Sequence, residues 1–121
     1  VELPSITAGE DTPVHALLRS ASRPTAIVVS DDILALTLER ICTETGLSIP
    51  ADLSILSFNN SLFARLTSPQ LTSIDINSCQ LGIEAAAQMI SHIEHPGLPA
   101  TKILVPHRLI ERDSCSHPAS C

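Results

Sequence analysis

Residues 53–60 read Leu53-Ser54-Ile55-Leu56-Ser57-Phe58-Asn59-Asn60, a short apolar run that stops at two amides. Runs of this kind suit a strand buried within a parallel sheet. Upstream, Thr25-Ala26-Ile27-Val28-Val29-Ser30 has the same character, reads as a strand buried on both faces, and stops at Asp31-Asp32. Between the two runs, Ile33, Leu34, Leu38, Ile41 and Cys42 fall at helical spacing. Gly46 is placed to end that helix in the left-handed conformation. Strand, helix, strand is the βαβ unit, and ligands of such sheets sit beyond the carboxyl ends of the strands.

The same reading extends in both directions. Residues 1–11 are irregular, with Pro4, Gly9 and small polar groups. Thr12 is placed as a cap and Pro13 as the first residue of a helix carrying Val14, Leu17, Leu18 and Ala21, which Arg23-Pro24 ends. Beyond Asn60 come a short apolar helix or turn (Leu62, Phe63, Leu66) and an alternating strand over 71–76, with Asp75 inside it. Asn77 is placed to cap the next helix with Gln80 as its capping-box partner, and Leu81, Ala85, Met89 and Ile93 follow at steps of four. Gly82 inside that helix costs about 1 kcal/mol against Ala, so close packing is expected there. Two strand pieces, 102–105 and 108–110, flank Pro106. The alternation predicts an α/β fold, a parallel sheet flanked by helices on both faces.

Composition bounds the function. The 121 residues are 44% hydrophobic and 17% charged, with mean hydropathy +0.26, as expected of one globular domain or part of one. Apolar runs are far shorter than the roughly 20 residues a membrane helix needs. A net charge of -6, with Lys102 the single lysine, makes this chain a poor binder of phosphate backbones. Two Phe and neither Tyr nor Trp exclude aromatic platforms for stacking bases, and the ring a sugar site normally uses is missing or comes from elsewhere. Cys42, Cys79, Cys115 and Cys121 never form C-x-x-C, so reduced cytosolic thiols are expected rather than a disulfide framework or zinc site. The Cys/His tail from Cys115 to Cys121 holds too few ligands for a metal. Opening at Val1 without a charged and then apolar leader, the chain is expected to be a processed or excised piece with no secretory signal.

The polar pairs at the two strand ends are the candidate site. Asp31 and Asn59, first off their strands, are expected to hold a small polar ligand, the vicinal hydroxyls of a sugar or the edge of a purine; Asp32 and Asn60 are expected to cap helices. No G-x-S-x-G, G-x-x-x-x-G-K-[ST] or G-x-G-x-x-G is present, and no catalytic residue or cofactor is expected. A magnesium-binding phosphoacceptor site would need a carboxylate and a lysine at later strand ends, and Asp75 and Lys102 are misplaced for it. His92 and His95 fit a solvated helix end, where cations are favoured, better than a metal site.

A family resemblance rests on these residues. Pro24-Thr25-Ala26-Ile27, Asp31-Asp32 and Ala35-Leu36 resemble the P-T-A-I…[ND]-D…A-L segment of the LacI/GalR family of bacterial transcription regulators. Residues 46–60 are similar to its G-L-x-V-P-x-D-[VI]-S-[VI]-[VI]-G-[FY]-D-[DN] signature. Leu71-Thr72-Ser73-Ile74, Leu81-Gly82 with Ala85-Ala86, and residues 106–115 resemble its later motifs in order. Ser57 stands where Gly is usual, and Asn59 where Asp is usual. An amide cannot make the charge-assisted bond of a carboxylate. The resemblance implies a periplasmic binding protein-like I fold, with 12–115 the C-terminal subdomain of an effector-binding and dimerisation domain and 116–121 a tail. It further implies effector contact through Asp31 and Asn59, and a homodimer interface including Leu36, Arg40, Phe63 and Leu66. The partners implied are a sugar-like effector and, through a helix-turn-helix not in this chain, DNA; the location implied is the cytoplasm. A fragment of a transporter's sugar-binding protein is the alternative.

Overall fold

The computed structural model describes residues 13–117. Pro13, whose ring presets φ for a first turn, opens α1 (Pro13–Arg19); its expected cap, Thr12, lies outside the described residues. β1 (Ala26–Val28) leads to α2 (Asp32–Thr45). Gly46 ends α2 at φ 75, with its N–H on the Thr43 carbonyl and the Leu47 N–H on that of Cys42. This paired closure needs a left-handed residue, which is the reason for a glycine there. β2 (Ser54–Phe58), α3 (Phe63–Leu66), β3 (Thr72–Asp75), α4 (Ser78–Glu94) and β4 (Arg108–Ile110) follow.

The α/β class stands, with one four-stranded sheet flanked by helices, in strand order β1-β2-β3-β4. β1–β2 and β2–β3 are parallel, as expected, but β4 runs antiparallel to β3, so the sheet is mixed. The reason is where the chain returns. Arg108 meets Asp75, at the carboxyl end of β3, and from there β4 can only run backwards along it. Residues 102–105 are not a strand, because they lie before that meeting point and have no ladder to join; Leu104 is 81% exposed.

The core lies between α1, α2, α3 and one face of the sheet, around Val14, Leu18, Leu38, Ile41, Ile55 and Leu71. Ser114, fully buried, joins the amino ends of two strands. Its carbonyl accepts from the Ile55 N–H, and its hydroxyl accepts from the Thr72 N–H and donates to the Ile55 carbonyl. The expectation that β1 is buried on both faces fails. Val28 is 66% exposed, and a groove of about 470 Å³ lies over Ala26, Val28, Ser54 and Leu56. α4 departs further, because it has no buried residue. A Cβ added at Gly82 would meet nothing within 4 Å, so close packing does not explain that glycine.

Candidate functional site

Register carries the site. Val28 pairs with Leu56, and three residues beyond these partners stand Asp31 and Asn59. The two therefore leave neighbouring parallel strands at the same end of the sheet. β3 leaves it there as well, at Asp75. Asp75 is thus the last residue of its strand rather than an interior one, and Lys102 lies in no strand.

The helix cap falls to the other acid than the sequence suggests. Asp31, not Asp32, caps α2: its backbone is extended (φ -159, ψ 167), and Oδ1 accepts the Leu34 N–H at 2.9 Å. Its Oδ2 has one long contact, 3.4 Å from the Ser30 hydroxyl. Asp32, one residue further in, is turned toward the interior strands β2 and β3 and is 1% exposed. Its Oδ1 accepts from the Ser57 hydroxyl (2.5 Å) and the Ser73 hydroxyl (2.9 Å); its Oδ2 accepts the Ser61 N–H (2.6 Å). Burial by itself would raise this carboxyl's pKa, but the donors from Ser57, Ser61 and Ser73 outweigh it and hold the group below its ordinary value.

The amides also differ from expectation in part. Asn60 caps no helix; Leu62 precedes α3. Instead the Asn60 side chain accepts from Arg112 at 2.6 Å and donates to Asp75 at 3.3 Å, while its N–H donates to the Ser73 hydroxyl at 3.0 Å. Asn59 is exposed at φ 93, and its side-chain amide has no partner among the described residues. Asp75 accepts the Asn77 N–H and also binds Asn60 and Arg108, which together keep its carboxyl below the usual range. Asn77 is left-handed (φ 55, ψ 53) and makes no capping bond, since capping requires an extended backbone; Gln80 pairs with Glu84 instead. Beside Asp75 a cavity of about 380 Å³ is lined by Asn77, Pro106, His107 and Arg108.

Sequence reasoning missed Arg108 and Arg112, and it underrated Asp32. The signals for Asp32 were present: Ser57 and Ser73 interrupt apolar strands at positions that pair directly in the sheet. Fully buried hydroxyls need a partner, and a carboxylate beside them supplies it.

The residues named for dimerisation lie on two packed helices, α2 and α3. Leu36 is half-buried; Arg40 is exposed and ion-paired within its helix to Glu44 at 2.6 Å. Phe63 and Leu66 are 45% and 69% exposed. Ile33 and Leu62, which were not singled out, are exposed beside them, and Ile33 stands three and seven residues before Leu36 and Arg40 on one helix face.

Among the described residues no three of His, Cys, Asp or Glu gather as a metal site would require. Cys42, Cys79 and Cys115 are free thiols; Cys121 lies outside the described residues. No described helix is long and apolar enough to cross a membrane.

Comparison with known proteins agrees with the fold. The periplasmic binding protein-like domain family matches residues 3–115. The transcriptional repressor PurR of Photorhabdus laumondii is 34% identical over 84% of this chain, and the chain spans 30% of that protein. A LacI-type transcriptional regulator structure from Bacillus cereus subsp. cytotoxis superposes with TM-score 0.81 at 37% identity, over 85% of this chain and 36% of the other. A LacI family regulator from Enterococcus faecium, solved with bound ribose, superposes with TM-score 0.75 at 31% identity, over 85% of this chain and 38% of the other. With an α/β sheet of matching shape and a family match over most of its length, the chain belongs to the periplasmic binding protein-like domain family, in the form that LacI-family regulators carry.

Proposed function

We propose that this chain supplies one wall of the effector site of a LacI-type transcriptional regulator, and that a sugar-like ligand binds at the shared end of β1 and β2 through Asn59 and Asp31. The observation that carries the reading is the Asn59 amide, exposed and unpartnered beside an acid with one oxygen nearly free. An amide offers both a donor and an acceptor, and a carboxylate offers an acceptor, which suits neighbouring hydroxyls. The ribose held by the similar Enterococcus faecium regulator supports this ligand class. Because the chain spans 30% of its PurR relative, the rest of a cleft and the DNA-binding part belong to sequence beyond it. A ligand that closed such a cleft would shift a conformational equilibrium, and by linkage would change DNA affinity elsewhere in the protein. Two copies would associate through the outer faces of α2 and α3, around Leu36, Arg40, Phe63 and Leu66, with Ile33 and Leu62 extending the apolar surface.

One wall buries little of a ligand, so affinity for D-ribose should be about 1 mM or weaker. An NMR titration of the labelled chain with D-ribose tests this. Shifts centred on Asn59 and Asp31, abolished in Asn59→Ala and strengthened in Asn59→Asp, are expected. Saturable shifts centred elsewhere, or none at Asn59 at high sugar concentration, overturn the reading. Light scattering at tens of micromolar tests association, as an order-of-magnitude working range: a dimer that Leu66→Glu dissociates is expected, and a monomeric wild type counts against it.

A further inference from the structure

We propose that Asp32 is a positioning residue whose buried carboxylate holds the Asn59-Asn60-Ser61 turn in shape, and thereby sets how Asn59 is presented. Two consecutive residues of this turn, Asn59 (φ 93) and Asn60 (φ 46), are left-handed. Asn tolerates that region better than most residues, yet it still costs energy, and such a conformation persists only where the surroundings hold it. The holding bonds converge on one group. The Ser61 N–H donates directly to Asp32 at 2.6 Å. The Asn60 N–H donates to the Ser73 hydroxyl, whose own proton goes to Asp32 at 2.9 Å. The Ser57 hydroxyl, on the next-to-last residue of β2, donates to the same carboxylate. Asp32 thus ties β2, β3 and the turn to the first residue of α2, and its neighbour Asp31 caps that same helix. The two strand-end acids are coupled through adjacent backbone: one caps α2 at the end of β1, and the other, buried, holds the turn that carries Asn59. Ser57, standing where the resemblance expects glycine, adds a donor to this clamp that a glycine lacks.

The consequence for ligand presentation rests on the reading of Asn59 given above; the clamp itself does not. Amide hydrogen exchange on the 121-residue chain separates the two. In Asp32→Asn, which keeps the volume but replaces one acceptor with a donor, exchange at Asn60 and Ser61 should accelerate by about tenfold or more, while amides of α2 around Leu38 and Ile41 keep their protection. The backbone couplings and carbon shifts that report positive φ at Asn59 and Asn60 should move with it. Ser73→Ala, which cuts the relay but leaves the acid, should free Asn60 more than Ser61. A role confined to overall stability would instead speed exchange evenly. If Asp32→Asn fails to fold, Ser73→Ala decides. Unchanged exchange and unchanged φ reporters in the variants that fold overturn the clamp. Loss of the turn's order with no D-ribose shifts even in wild type would leave the clamp standing and sink the effector reading. Retained D-ribose shifts at Asn59 in a variant with a relaxed turn would sink the claim that the clamp presents the ligand contact.

Discussion

α2 and α4 carry the same kind of amphipathic pattern, yet they use it in opposite ways. α2 buries Ala35, Leu38, Ile41 and Cys42 against α1, α3 and β2. α4 buries nothing: Ile83, Met89, Ile90 and Ile93 are each more than half exposed, while polar Gln80, Glu84, Gln88 and Ser91 are the half-covered side. Gln88 accepts a bond from Thr101 on that side. The difference shows that an apolar stripe marks a helix with a face to bury but does not say whether the partner lies within the same stretch of chain. The two helices also begin differently. α2 has a side-chain cap from Asp31, and α4 has none.

The largest expected effect tests the packing half of this contrast. Leu38→Ala in α2 should cost about 2–5 kcal/mol in urea denaturation, because it opens a cavity among fully packed neighbours. A loss below about 1 kcal/mol would mean that the α1–α2 layer is loosely formed. Next is the cap: Asp31→Ala should cost about 1 kcal/mol, whereas Asn77→Gly should change stability by only a few tenths, since Asn77 makes no capping bond and glycine is at ease at φ 55. Equal losses at the two positions would erase the distinction between the helix starts.

A smaller effect is a pH dependence confined to α2. Glu39 has one carboxylate oxygen buried without a partner, and burial raises its carboxyl from 4.5 to about 7. The folded chain holds this proton more tightly than the unfolded chain does. The contribution is therefore fully present below the unfolded value and is lost as pH rises through about 7. Urea midpoints measured on the acid and alkaline sides of neutrality should fall with rising pH, and Glu39→Gln should flatten that slope. The nearby Cys42 thiol, pushed up to about 11 by burial and by Glu39, stays protonated throughout. The smallest effect belongs to α4. Met89→Lys should shift the stability of this chain by no more than about 0.5 kcal/mol, because nothing described packs on it. A large loss would show that α4 is buried in solution by a contact absent from this structure.

Much of the fold was legible because local rules govern it. Pro13, the two apolar runs, Gly46 and the periodic helices set element order almost residue by residue. The misreadings occur where non-local geometry overrides local preference. Asn77 has the composition of a cap but the backbone of a turn. Residues 102–105 look like a strand but lack an edge to join. Asp31 and Asp32 are equivalent as neighbours in sequence, and a turn of the backbone by one residue decides which caps a helix and which is buried. Of the candidate site, the pairing of Asp31 with Asn59 followed from where runs end, whereas Asp32, Asn60, Asp75 and Arg112 acquire their roles only from strands brought side by side.

Alternation of apolar runs, together with the helix stop at Gly46, is local information, and it was enough to specify the succession of the eight described elements, though it also marked 102–105, which form no strand. The direction of β4, the outward face of α4 and the convergence of three serines on one carboxylate depend on which distant segments meet. Residues dozens of positions apart, such as Asp32 and Ser73, become partners only when the sheet aligns them. Hydrogen bonds and burial act on positions in space, and spacing along the chain does not specify those.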